Sequence, residues 1–420
     1  MLDIKFIREN PDLVKEAARK KHIDFNVETL VELDQKRLEL LSEIEAMRTE
    51  QNRVSAEISK TGSGGARADV LTDMKKLKEK LGAKEDEHKE VMGEWRALML
   101  AVPNIPDMSV PDGASDADNK EFKVVGEHPQ FSFTPKTHVE LMTAHYMADF
   151  ERGTKVSGFR GYFLKNDGAR LVWALERLAI DRFMAKNFTP MIVPSLVRRE
   201  AFVGTGYLPQ SEEDLYKTQD GEYLAGTAEV ATMGYYMNEV IDAKQLPIKF
   251  FAFSPAYRRE AGSHGKDVKG VFRVHEFTKF EQVVLCEASH TESVKWHEEL
   301  TANAEELLVE LGLPYRIVLN CGGDIGLGQV KKYDIEAWMP SEKKYRETHS
   351  SSYFHDFQTR RLNIRYKDAE GKLRYAHSLN NTAIAVPRIL CQIVENYQNG
   401  DGSITVPKAL VPYMGKEKIG

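Results

Sequence analysis

This sequence predicts an α+β fold preceded by an N-terminal antiparallel coiled-coil arm. Three observations carry that class. In the first hundred residues, apolar positions recur at steps of three and four, the heptad signature of packed helices. Past residue 130, helical and alternating apolar stretches are segregated and do not repeat as βαβ units, which favours α+β over a parallel doubly wound sheet. Between the two patterns, residues 101–135 are rich in Pro, Asp, Ser and Gly and hold no sustained period.

Composition narrows the function classes. The 420 residues carry 58 Lys+Arg against 64 Asp+Glu, a net charge of −6. At roughly 100–200 residues per domain this is a two- or three-domain chain. A hydrophobic fraction of 42% with 29% charged residues excludes a mostly disordered chain and a membrane-embedded one. The net charge excludes a wholesale basic coat for nucleic acid but not a local basic surface. Cys286, Cys321 and Cys391 are far apart and form no CxxC pair. That argues against a disulfide framework or a structural zinc site and fits a reducing compartment. The opening MLDIKFIRENPDL has no apolar signal core, and no stretch approaches the roughly 18 apolar residues of a membrane span. A cytoplasmic protein without a membrane partner is expected.

The elements follow in order. Ile4, Ile7 and Leu13 anchor a short amphipathic helix. Leu30, Leu33, Leu41, Ile44, Met47, Gln51, Val54 and Ile58 mark a first long helix, with Arg37 in the slot that breaks the series. Glycines 62, 64 and 65 mark a turn. A second helix carries Val70, Met74, Leu77, Leu81, His88, Val91, Trp95, Leu98 and Val102. The pair reads as an antiparallel hairpin roughly 45 Å long. Heptads specify packing and not a ligand, so a dimerisation or spacer coil fits as well as a lever reaching a large partner. Lys75, Lys76, Lys78, Lys80, Lys84 and Lys89 cluster on the second helix, where they could meet phosphates or simply form a solvated face. Pro103, Pro106 and Pro111 stop the helix. The boundary is expected near residue 105, giving a helical domain over 1–105 and one large domain over 106–420.

In the large domain, 167–188 has helical spacing at Leu171, Ala174, Leu175, Leu178 and Phe183. PIKFFAFSPAYRRE and GVFRVHEFTKFEQVVLC read as antiparallel strands joined by a loop. No GxxxxGK[ST] is present, and Cys321-GGDIGLGQ lacks the full GxGxxG spacing and reads as a turn. Side chains must therefore hold the phosphates of any nucleotide bound here. The segment 257–282, YRREAGSHGKDVKGVFRVHEFTKFEQ, offers them. Arg258 and Glu260, two apart, are expected on one strand face, and Phe277 and Glu281, four apart, on another. Arg273 adds a second guanidinium. Arginine is a fork for phosphate oxygens, and an aromatic face can stack on a purine. Charges alone fit two solvated strands with ion pairs equally well.

The same segment resembles motif 2 of the class II aminoacyl-tRNA synthetases, in the form found in the seryl-tRNA synthetase family. Pro194 in NFTPMIVPSLV resembles the motif 1 proline, and NNTAIAVPRILCQIVENYQ (380–398) resembles motif 3, with Arg388 entering its helix. GTAEV (226–230), KKYDIEAWMP (331–340) and HDFQTRRLNIRY (355–366) fit that family too, and the hairpin resembles its tRNA-binding arm. The resemblance covers nearly the whole chain in order. It implies a class II antiparallel sheet flanked by helices, and activation of L-serine with ATP followed by transfer to the 3′ end of tRNA(Ser).

It also implies residue roles. Arg258 would bridge the α-phosphate and the serine carboxylate. Glu260 would accept from the adenine amino group, Phe277 would stack on the base, and Val274 would present backbone to it. Arg273 and Arg388 would hold the outer phosphates. Within YRETHS, Glu347, Thr348, His349 and Ser350 fall in the ATP site, Glu347 and Ser350 as the Mg²⁺ pair. Thr227 and Glu229 would take the serine ammonium, and Glu281 and Thr382 its hydroxyl. Asn381-Thr382 stands where the family commonly has glycine-serine. A homodimer is implied as well. The alternative is a catalytically altered or antibiotic-resistant paralogue with an RNA-binding or regulatory role.

Overall fold

The computed structural model describes residues 1–61, 68–262, 265 and 267–420. Two compact units make up the chain: residues 1–19 with 23–103, and residues 20–22 with 104–420.

The smaller unit is helical. Where one short amphipathic helix was expected there are two, α1 (Ile4–Glu9) and α2 (Pro11–Lys20). Pro11 has no N–H with which to extend α1, and proline suits the first position of a new helix. Ile7, Val14, Ala17 and Ala18 are the buried anchors, whereas Leu13 is 46% exposed and is not one. Two long helices follow, α3 (Val27–Thr61) and α4 (Ala68–Ala101). The 35 residues of α3 span about 50 Å. Leu30 and Ile44 of α3 and Leu81 and Val91 of α4 are buried where the heptads place them, whereas Leu40 and Met99 are buried in place of the expected Leu41 and Leu98, which are half-buried. The expected glycine turn at 62, 64 and 65 lies outside the described residues.

Arg37 interrupts the heptads for a reason. Its guanidinium makes bonds of 2.8 and 2.9 Å to the fully buried Asp34 and lies over the Trp95 ring at 5.1 Å. Arg8 adds a second cation to Asp34 at 3.3 Å. A buried carboxylate needs such partners. Lys84–Glu43, Arg48–Glu85 and Lys36–Glu87 pair across the two helices at 2.8, 2.7 and 3.1 Å. From Arg37 over Trp95 to Arg48 beside Glu85, the α4 partner falls as the α3 number rises, so the helices run antiparallel. Exposed pairs of this kind contribute about 0–1 kcal/mol each, so the seam holds the hairpin and the charges fix its register.

The larger unit is built on an eight-stranded sheet. Its strands are β1 (Lys120–Val125), β2 (Thr189–Ile192), β3 (Ile248–Tyr257), β4 (Glu276–Cys286), β5 (Tyr315–Leu319), β6 (Lys331–Met339), β7 (Lys344–His355) and β8 (His377–Ala385). Their order across the sheet is β1-β5-β6-β7-β8-β4-β3-β2. Every neighbouring pair is antiparallel except β2 with β3. The stretch expected to be a featureless linker thus supplies an edge strand. The strand has no apolar alternation because five of its six residues are exposed.

Helices α5 (Asp167–Ala185), α6 (Glu229–Gly234), α7 (His290–Glu310), α8 (Phe357–Leu362) and α9 (Val386–Asn396) complete the frame. Leu171, Ala174, Leu175, Leu178 and Phe183 of α5 are all buried, as their spacing predicts, in one core with α7, α9 and the sheet. Among the described residues no helix is long and apolar enough to cross a membrane.

Strand alternation divides the sheet. Gln282 of β4 and Asn381 of β8 turn to α7, and both donate to the Leu300 carbonyl, at 3.1 and 2.7 Å. Their neighbours Glu281 and Thr382 therefore face the other way. Two bulges adjust this pattern. One falls where β4 meets β8, between Phe280 and Glu281. The other falls where β6 meets β7: Ile335 pairs with His349 but Glu336 pairs with Glu347, leaving Thr348 as the extra residue.

Candidate active site

A cavity of about 340 Å³ opens on the sheet face opposite α7. Arg258, Glu260, Arg273, Val274, Phe277, Glu229, Glu281, Glu347, Thr348, Ser350, Thr382 and Arg388 all line it. Of the residues expected in the site, Thr227 sits directly behind this wall, and only His349 is turned away.

The β7 bulge explains that exception. Strict alternation would put Glu347 and Ser350, three apart, on opposite faces. The extra residue at Thr348 brings both to the cavity. His349 falls on the core side, 1% exposed, with its ring bonded to the Thr348 hydroxyl at 2.9 Å. Burial pushes its pKa down to about 3. It is a neutral core histidine and does not belong among the ATP contacts.

Arg258 and Glu260 reach the cavity by a different route from the one expected. β3 ends at Tyr257, so they are not on a strand face. Arg258 N donates to His275 O at 2.9 Å, which keeps the two chain segments together. Its Nε donates to Gly226 O at 3.2 Å, and its guanidinium lies 5.4 Å from the Phe277 ring centre. A Cβ at Gly226 would stand 3.2 Å from both Arg258 Cγ and Tyr257 O, so a larger residue there would crowd the arginine. Glu260 sits in the left-handed region at φ 55°. It pairs with Arg273 at 2.5 Å. Burial pushes the Glu260 pKa up, but the Arg273 bond and charge outweigh it, and the net shift is down. Asp267 ties Arg273 to Arg346, at 3.4 and 2.6 Å. Phe272, which the sequence did not single out, lies in the wall beneath two guanidinium groups, Arg346 at 4.1 Å and Arg388 at 5.2 Å.

Arg388, in the first turn of α9, bonds the Glu347 carboxylate at 3.2 Å and its carbonyl at 3.0 Å. Glu347 keeps 45% of its side chain open to the cavity. Desolvation at the cavity wall raises its pKa, but the charges of Arg388, Lys332 and Arg258 overcome that and bring it down to about 2. It is a carboxylate at neutral pH.

The other end of the cavity is carboxylate-rich and buried. Glu281, 3% exposed, accepts from the Thr227 hydroxyl at 3.0 Å and from Thr382 at 3.5 Å. Lys279 forms an ion pair with the same carboxylate. Lys279 was missed in the sequence, although it stands at the even step between Phe277 and Glu281 and the same alternation points to it. Glu229, 4% exposed, accepts from Gln358 Nε2 at 2.7 Å and the Tyr207 hydroxyl at 3.0 Å. Burial, helped by the Glu281 charge, pushes its pKa up to about 7 against the opposing pull of Gln358, Tyr207 and Lys279. The stretch read as a turn does turn, over Gly322–Asp324, but Gly326, Leu327, Gly328 and Gln329 go on to form a cavity wall.

This geometry joins an arginine-lined half suited to phosphates with a small buried half suited to an ammonium and a hydroxyl. Comparison with known proteins gives the arrangement a family. The model described as "Seryl-tRNA synthetase N-terminal domain" matches residues 1–106, and that described as "tRNA synthetase class II core domain (G, H, P, S and T)" matches residues 215–397. A serine–tRNA ligase of Deinococcus radiodurans is 48% identical over 420 residues, spanning 100% of this chain and 99% of that protein. The chain belongs to the seryl-tRNA synthetase family. The seryl-tRNA synthetase of Pyrococcus horikoshii, solved in complex with ATP, superimposes with a TM-score of 0.92 at 40% identity and covers 100% and 99% of the two chains. The cytoplasmic serine–tRNA ligase of Naegleria fowleri, solved with AMP, does so with 0.88 at 32% identity, over 100% and 98%. The class II sheet with a helical arm before it is the seryl-tRNA synthetase architecture that the motif resemblance implied.

Proposed function

We infer that the chain activates L-serine with ATP and transfers the seryl group to the 3′ end of tRNA(Ser). One observation carries this reading: the buried acceptor Glu281 and the arginine Arg258 face one cavity, in a chain matched end to end by serine–tRNA ligases. In the first step a serine carboxylate oxygen attacks the α-phosphorus of ATP and pyrophosphate leaves. In the second the terminal ribose hydroxyl of the tRNA attacks the seryl carbonyl and AMP leaves. The protein's contribution is positioning and charge stabilisation.

Arg258, aimed by its bond to Gly226, bridges the α-phosphate and the serine carboxylate. Phe277 stacks on adenine, with Glu260 and Val274 reading the base. Arg273 and Arg388 neutralise the outer phosphates. Glu229 and Thr227 take the serine ammonium. Glu281 accepts from the serine hydroxyl, with Thr382 beside it. Glu347 and Ser350 fit Mg²⁺: an ionised carboxylate open to the cavity and a hydroxyl on the same wall. Among the described residues no group of three or more His, Cys, Asp or Glu could hold a metal, so most of its ligands would come from phosphates and water, as Mg²⁺ favours. When bound, that ion neutralises phosphate charge.

The α3–α4 hairpin is the tRNA-binding arm in this reading. Homodimer formation has support in large apolar side chains left open on α5 and β2, Trp173 at 65% and Ile192 at 88%. The test of the activity is isotope exchange between labelled pyrophosphate and ATP. It should require serine, and exchange driven by a different amino acid, or by none, would refute the reading.

A further inference from the structure

Residues 326–329 form part of the cavity wall without belonging to a helix or strand. Their four consecutive carbonyls are nevertheless all held. The Lys21 ammonium donates to Gly326 O at 3.0 Å, Leu327 O at 2.9 Å and Gln329 O at 2.6 Å. The Asn104 side-chain amide takes the remaining one, Gly328 O, at 2.9 Å, and also reaches Phe354 O at 2.8 Å. Lys21 and Asn104 are each 4% exposed, and both belong to the larger unit.

An ammonium has three donors, and Lys21 uses them on three carbonyls. Among the described residues no ion pair offsets its charge. Burial pushes the Lys21 pKa well down, so its charge depends on the three carbonyls, which can only accept and converge on all three N–H donors in a fixed arrangement. The carbonyls surround it as they would an alkali cation. Gly328 packs so closely on Phe357 that a Cβ would stand 2.5 Å from the ring. The next residue, Gln358, bonds Glu229 at 2.7 Å. Gly328, Phe357 and Gln358 thus link the loop by direct contacts to Glu229. Glu260 and Arg273 sit on the separate 258–275 segment.

We propose that Lys21 is a positioning residue for serine, fixing the 326–329 wall through its carbonyls without touching substrate. The proposal rests on the serine-activation reading above. Lys21→Met keeps the chain length and removes the donors, Lys21→Ala opens a hole, and Lys21→Arg keeps the charge. In serine-dependent pyrophosphate exchange, the Met and Ala variants should raise KM for serine roughly tenfold while KM for ATP stays within about twofold. Lys21→Arg should lie nearer the wild type. Ethylammonium should lower the serine KM of Lys21→Ala, whereas tetramethylammonium, with no N–H donor, should not. Unchanged serine KM, equal rises for serine and ATP, or no response to ethylammonium would overturn the role. If Lys21→Ala does not fold, Lys21→Met supplies the serine-to-ATP comparison. Absent serine-dependent exchange in the wild type refutes the activity reading itself. An active wild type with unaltered variants refutes only the role of Lys21.

Discussion

Glu281 shows how much one buried carboxylate can decide. Its oxygens are kept from water and engaged by Thr227 and Lys279. In the proposed pocket a serine hydroxyl would add a donor to that set, whereas the methyl of alanine would leave an acceptor unfilled, which is the strong form of discrimination. Glu281→Ala is expected to lower kcat/KM for serine in pyrophosphate exchange by roughly 10²- to 10⁴-fold, with KM for ATP changed less than about threefold. Parallel losses for both substrates would remove Glu281 from the serine pocket. Glu229 gives a pH signature. Its pKa, raised to about 7 chiefly by burial, leaves it neutral on the acid side, where it cannot pair with an ammonium. KM for serine should therefore fall as pH rises from about 6 to about 8, and Glu229→Gln should flatten that profile. A wild-type profile that is already flat counts against the assignment.

At the scale of elements, the parts legible in the sequence are those whose period is local. The heptads of α3 and α4 and the apolar stripe of α5 are set by residues three and four apart; α5 is buried as spaced, whereas in the hairpin Leu30, Ile44, Leu81 and Val91 are buried and Leu40 and Met99 replace the expected Leu41 and Leu98. Arg37 read as a defect because its partners are an aspartate one turn back and a tryptophan on the other helix. The β7 bulge was not legible, since it depends on which residue of β6 each residue meets. It decides that Glu347 and Ser350 share a wall and that His349 does not. Arg258 and Glu260 reach the cavity as expected, but a loop and a left-handed Glu260 place them there, not strand alternation. Lys279 is legible in the alternation of Phe277 and Glu281. The arm carries its own prediction. Deleting residues 27–100 should leave serine-dependent exchange within about threefold of wild type and lower tRNA(Ser) charging by at least roughly 100-fold, if the hairpin is the tRNA-binding arm proposed above. Charging at the wild-type rate would remove the arm from tRNA recognition.

For the whole molecule, the net charge of −6 carries little information about RNA, since a sum over 420 residues hides any local basic surface. Exposed apolar groups say more. Trp173 and Ile192 are large and open, and burying them against a second copy is a stronger source of association than the rim charges around them. Light scattering on the intact protein should give twice the 47.7 kDa chain mass, and the double variant Trp173→Glu, Ile192→Asp should shift it toward the monomer. A wild-type monomer across the micromolar range would dismiss the dimer.

Residues 20–22 belong in space to the larger unit although helices of the smaller one flank them in sequence. Arm and body are consequently not interchangeable cassettes separable by one cut near residue 103. A body produced from Asn104 onward would lack the ammonium that holds its own cavity wall, and a chimaera that exchanged residues 1–103 would import a foreign one. Any graft between relatives has to leave Lys21 with the loop whose carbonyls it binds.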